Sequence, residues 1–195
     1  KFAMMLRVEL AVADVQGEMG IIPLEAAQDI RQKSDFDLEE IADLEKTTKH
    51  DVIAFVSCVA KKIGPQGRYL HYGLTSSDVV DTALSLQIKE AGELLDQTVE
   101  KLAKELSQKA IEHETSLCAG RTHGMHAEPT SFGLKLAGFV AELKRNQVRL
   151  KSAVDQCARG KLSGAVGTYS AQSNEVEDKV CQKLNLKPEL VATQV

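Results

Sequence analysis

The chain has 195 residues, 43% of them apolar, and a formal net charge of −4 at neutral pH. That is enough for one sizeable core or two small ones, and basic residues neither in excess nor bunched give no reason to expect a nucleic-acid partner. The longest apolar run, Val52 to Ala60, is about half the length of a membrane span, so no membrane association is expected.

No signal-peptide pattern is visible, and the four cysteines (Cys58, Cys118, Cys157, Cys181) are scattered without a CxxC pair. Unpaired thiols among helices predict a reducing, cytoplasmic setting. Aromatic residues make up 4% of the chain and tryptophan is absent, which suits long helices packed side by side. The first residues, "KFAMMLRVEL", are already in helical rhythm, and "PELVATQV" carries no stop signal. A piece of a longer protein is expected.

In chain order, Phe2 to about Met19 reads as a helix stopped by Gly20, and "IIPLEAAQDI" as a second helix entered through Pro23. Asp37 caps a third, "LEEIADLEKTT", and "KHDVIAFVSCVAKKIG" forms a fourth that ends at Gly64-Pro65. After the loop "GPQGRYLHYGLTSSD" one helical pattern runs from Val79 to about Cys118. Leu84, Ile88, Ala91, Leu95, Val99, Leu102, Leu106 and Ala110 step along one face, and the lone Gly92 costs about 1 kcal/mol. A helix of that extent is about 60 Å long, which favours a bundle shared between subunits. "GRTHGMHAEPTS" interrupts, a second rod runs from Phe132 to about Gly160, and a glycine-spaced loop "GKLSGAVGTYS" precedes a short helix through "NEVEDKVCQKLNL". No convincing period-two alternation occurs, so no sheet is expected. The fold is predicted to be all-α: a helical N-terminal domain over residues 1–75, its start missing, then the first part of a long-helix bundle over 76–195.

Polar residues capable of chemistry gather at three joints. In "TTKHDV", His50 and Asp51 open a helix, where an acid is favoured by the helix dipole whether or not it has another task. In "HYGLTSSDVVDTA", three hydroxyls and an aspartate precede the long helix. One cap is needed and four candidates stand there, so the spare hydroxyls beside free N–H groups can hold an anion. The third joint, Gly120 to Gly133, holds Arg121, Thr122, His123, His126 and Glu128. An HxxH pair alone is a weak metal signal, since no third ligand has the expected spacing. A plain connector explains the glycines and Pro129 but leaves the histidines without a reason. A histidine in a semi-buried joint can move a proton near neutral pH.

Together "TKHDVIAF", "HYGLTSSDVVDTA" and "GRTHGMHAEPTSFG" resemble the adenylosuccinate lyase family of the fumarase/aspartase superfamily, and the resemblance continues to "GKLSGAVGTY" and "ATQ". Argininosuccinate lyase, fumarase and carboxymuconate cycloisomerase share the "TS" and "TH" elements; "HDVIAF" and "HAEP" favour adenylosuccinate lyase over them. A non-catalytic helical scaffold is the alternative from another class. The resemblance implies a homotetramer with a central helical bundle, active sites drawing on three subunits, and no metal or organic cofactor. It implies elimination of fumarate from adenylosuccinate to leave AMP, and the same cleavage of the succinylated aminoimidazole carboxamide ribotide in purine synthesis.

By the same resemblance, His123 is the general acid, and His50, with Lys49 and Asp51, orients or polarises the substrate. Thr75 and Ser76, assisted by Ser77, bind the succinyl carboxylate or nearby anionic groups. His71 faces the phosphate side, Thr122 and Gln194 contact substrate, and His126 supports the site from behind. Lys49 stands where many relatives have arginine, which keeps the charge and loses the bidentate fork. The family's general-base serine, in a loop of pattern SSxMPxKxNP, and its N-terminal RY pair have no counterpart in these residues, so the chain by itself is expected to be an inactive portion, under half, of the enzyme.

Overall fold

In α1 (Phe2–Glu18), Met5, Val8, Val12 and Val15 recur at three- and four-residue steps, and all four are buried. A helix so spaced has one apolar stripe to hide; α1 packs it against α2 (Leu24–Lys33) and α7 (Asn174–Leu184). This computed structural model describes residues 1–193. Contacts divide the chain into two units, one of Lys1–Ile88 with Ala158–Val195 and one of Lys89–Cys157.

In the first unit, α3 (Leu38–Thr48) starts where Asp37 accepts the amide of Glu40 at 2.9 Å, the expected cap. It packs against α4 (Asp51–Ile63), whose Phe55 is fully buried and lies between Phe2, stacked at 5.6 Å, and Phe36, edge-on at 6.2 Å. The first turns of α5 (Ser76–Glu112) add Val79, Ala83 and Leu86 to this core. From the far end of the chain come Leu162 and the apolar face of α7.

The second unit holds the rest of α5, a hairpin and α6 (Phe132–Cys157). Here two expectations fail. The long helix stops at Glu112 and turns through Ser116, whose amide donates to the carbonyl of His113 at 3.2 Å. The segment expected to be free of strand is an antiparallel hairpin, β1 (Leu117–Thr122) with β2 (Met125–Ser131). The reason it left no period-two trace is burial. Alternation records one covered face, and most residues of both strands are exposed. Local backbone chemistry specifies it instead. His123 and Gly124 both have positive φ, 51° and 73°, as a two-residue type I′ turn requires. Gly120 sits at a bulge, where a Cβ would lie 2.6 Å from the carbonyl oxygen of Glu128.

The base of the hairpin is tied to both helices. Phe132 and Gly133 donate their amides to Ser116 and His113 carbonyls at 2.8 and 2.9 Å. Gly92, expected to be merely tolerated, is needed, because a Cβ there would collide with Val154 of α6. Leu94, Leu102, Leu134, Phe139 and Val148 remain exposed on the two helices. Among the described residues, no helix is long and apolar enough to cross a membrane. A minimal parallel pair, β3 (Arg159–Gly160) with β4 (Lys187–Pro188), completes the first unit.

Candidate active site

The first two polar joints of the sequence meet in the first unit. His50 is the N-cap of α4 rather than a loop residue: its Nδ1 accepts the amide of Ile53 at 3.4 Å. The tautomer that permits this carries its proton on Nε2, and Nε2 lies 3.4 Å from Ser76 Oγ at the start of α5. Both contacts are long. Lys49, at φ 54°, closes α3 in the left-handed region and is exposed. Asp51 accepts the amide of Val52 at 2.9 Å and pairs with Lys1 at 2.6 Å; that bond holds its carboxyl below the usual aspartate range.

A buried carboxylate in the first turn of α5 supports the start of the helix. Asp78, fully buried, accepts the amides of Thr75 at 3.0 Å and Gly164 at 3.3 Å, one half of a capping box. Burial raises its pKa, against those two amides and the nearby charges of Lys161 and His71. Ser77 Oγ accepts from Lys161 Nζ at 2.8 Å, and Lys161 also pairs with Asp81 at 2.9 Å.

His71, at φ 62°, is held from beneath by Glu9 of α1, whose side chain is 1% exposed. Glu9 takes the His71 amide at 3.1 Å and Nδ1 at 2.6 Å, which leaves Nε2 to face outward. Burial pulls the imidazole pKa down, yet the Glu9 bond and charge, with the charge of Asp78, raise it overall.

The third joint stands apart from these in its surroundings. Thr122 ends β1, His123 occupies the first position of the turn, and His126 pairs across from Arg121. All four are exposed. His123 therefore lacks the semi-buried environment expected of it, because both strands of the hairpin present open faces within this chain. Its left-handed backbone is uncommon for a residue other than glycine, though histidine, with asparagine and aspartate, adopts it more readily than most. Among the described residues, no group of three or more His, Cys, Asp or Glu side chains is placed to hold a metal ion. Gln194 lies outside the described residues.

A family model described as "Lyase" matches residues 4–194. The chain belongs to that lyase family. Curated proteins named adenylosuccinate lyase are 46% identical to it in Synechocystis sp. (97% of this chain, 44% of that protein) and 45% identical in Bacillus subtilis (100% and 45%). The adenylosuccinate lyase of Thermotoga maritima is 46% identical over 100% of this chain and 45% of its own length. The chain thus spans under half the length of these relatives. Among solved structures, a fumarate lyase from a Mesorhizobium species superposes with a TM-score of 0.92 at 29% identity, covering 98% of this chain and 47% of that one. A 3-carboxy-cis,cis-muconate lactonizing enzyme from Pseudomonas putida gives 0.89 at 30%, covering 98% and 46%. The all-α, long-helix expectation agrees with both, the short strands making up a small part of a mainly helical chain.

Motif reading passed over Glu9, Lys161 and Glu177. Glu9 is one acid in a plain amphipathic helix, with no local signal. Glu177 of α7 takes the Leu162 amide at 2.6 Å and the Tyr169 hydroxyl at 2.8 Å, pinning the loop that delivers Lys161. The clue available beforehand was that loop's glycine spacing, "GKLSGAVGTYS", which marks backbone in close approach to something.

Proposed function

We propose that the protein to which this chain belongs is an adenylosuccinate lyase, releasing fumarate from adenylosuccinate to give AMP and from the succinylated aminoimidazole carboxamide ribotide. The observation that carries this reading is identity of 45–46% to three curated adenylosuccinate lyases across nearly the whole chain. Similarity to the muconate enzyme is lower, at 30%, and leaves cycloisomerase chemistry the less favoured reading.

The elimination needs a base for a weakly acidic carbon proton, an acid for the departing nitrogen, and donors for a carboxylate gaining charge. In this reading His123 protonates the leaving nitrogen from its turn. His50 polarises or orients substrate, with Lys49 and Asp51 beside it. Thr75, Ser76 and Ser77 receive the succinyl carboxylate at the N-terminus of α5, where the helix field favours an anion. His71, held by Glu9, meets phosphate, and Thr122 and Gln194 contact substrate. No metal or organic cofactor has a part.

The residues flanking residue 75 divide, in this reading, into an N-terminal helical domain (1–75) and the opening of the bundle domain (76–195). The open apolar faces of α5 and α6 support assembly into a homotetramer with shared sites. The setting is the cytoplasm. The test is turnover by the full-length protein on adenylosuccinate, argininosuccinate and carboxymuconate, followed by ultraviolet absorbance. Adenylosuccinate is expected to be consumed fastest. Preference for either other substrate, or no turnover and no thermal shift with nucleotide, would overturn the assignment.

A further inference from the structure

We propose that Lys161 is a positioning residue for carboxylate recognition, acting through the Ser77 hydroxyl. The inference rests on the reading that Thr75, Ser76 and Ser77 receive the dicarboxylate end of the substrate.

Lys161 is placed with unusual care for a lysine in a loop. Its backbone is clamped at both ends of one peptide unit's reach by a single hydroxyl: Thr82 Oγ1 donates to its carbonyl and accepts its amide, each at 3.1 Å. The neighbouring amides are taken by Glu177 and Asp78. The side chain, 10% exposed, then runs along the first turns of α5 to reach Ser77 and Asp81, four residues apart on one face. Burying an ammonium is costly unless it is paired and bonded. An ion pair with half-exposed Asp81 could form further out, in water, at less cost. The buried route makes sense through Ser77.

An ammonium has three N–H donors and no acceptor, so in this bond Ser77 Oγ must accept. Its own O–H is then directed elsewhere. Ser76 is in the same position, since His50 Nε2–H points at its oxygen. Two adjacent hydroxyls thus have an oxygen lone pair occupied by nitrogen donors from behind and are left to act as donors. That arrangement fits a carboxylate. The Lys161 charge is opposed by Asp81 and felt by Asp78, so its contribution to a ligand is the direction of a hydroxyl more than net attraction.

The experiment measures, on the full-length enzyme, the KM for adenylosuccinate and competitive inhibition by succinate and by AMP. The variants are Lys161→Met, Lys161→Arg, Ser77→Ala and the double Lys161→Met/Ser77→Ala. Loss of a charge-assisted bond predicts a succinate inhibition constant and KM raised about tenfold or more in Lys161→Met, with AMP inhibition unmoved. Lys161→Arg, still donor-only, recovers part of the loss. The double variant is no weaker than the weaker single one, since both remove the same contact. Should Lys161→Met fail to fold, Ser77→Ala alone carries the test, with the same expected rise. A succinate constant within about twofold of wild type in a folded Lys161→Met or in Ser77→Ala overturns the inference. Wild-type enzyme that ignores adenylosuccinate overturns the proposed function itself, and is seen before any variant is made.

Discussion

The start of α5 and the tip of the β1–β2 hairpin carry similar residue types in opposite surroundings. Around Ser76 each polar group has a partner from this chain: His50 against Ser76, Lys161 against Ser77, Asp78 against two amides, Glu9 beneath His71. At the hairpin tip His123 is exposed, and its turn is held by backbone pairing between Thr122 and Met125. The first arrangement is a set of polar groups that hold one another in place. The second presents an exposed histidine on a left-handed turn, and in the proposed reading the rest of its environment comes from elsewhere. Substitutions in the two should differ in kind: loss of folding together with function in one, loss of function alone in the other.

The largest expected effect tests that difference directly. In the full-length enzyme His123→Ala should lower kcat by about 10²–10⁴-fold, the range for a lost general acid, with little change in thermal midpoint. His50→Ala should move both, because the same ring caps α4 at about 1 kcal/mol. If His123→Ala melts early, or keeps near-normal turnover, the contrast fails. Next, Glu177→Ala leaves the buried Leu162 amide without a partner and frees the Lys161 loop. A destabilisation of about 2–4 kcal/mol in chemical denaturation is expected, with KM raised in whatever protein remains folded.

A smaller effect has the opposite sign. His123→Asn supplies the Asn-Gly pair that type I′ turns favour, so amide exchange at the hairpin should slow by an amount worth about 0.5–1 kcal/mol while turnover is lost. Unchanged exchange would mean that the left-handed histidine carries no strain.

The smallest concerns pH. The pKa of His71 is raised in the fold above its ordinary value of 6.5, through Glu9 and Asp78. Its stabilising contribution is therefore full below that ordinary value and is lost as pH rises through the folded one. The difference in thermal midpoint between wild type and His71→Asn should shrink as pH rises from about 6.5 into the alkaline range. A difference that grows over that interval would show the Glu9 pair to favour neutral imidazole.

How much was legible beforehand follows the same divide. Helices α1 to α4, α6 and α7 were readable because each hides one face, and periodic burial is written into residue spacing; Asp37 capped α3 as expected. The hairpin was not, since most of it is exposed and exposed strands carry no alternation. Motifs pointed to His50, His71 and the three hydroxyls by residue type. Their partners Glu9 and Lys161 lie 62 and 84 residues from them in sequence, at separations no local pattern can report.

By itself the sequence determined where helices run, which joints carry chemistry, and which lyase family the chain resembles, because these depend on neighbours a few residues apart. Tertiary structure alone decided that Asp78 takes the amides of Thr75 and Gly164, that Glu9 lies beneath His71, and that Lys161 reaches Ser77. Those outcomes depend on which distant group reaches a buried atom first, and an unpaired buried charge or amide is costly enough to make that choice strict.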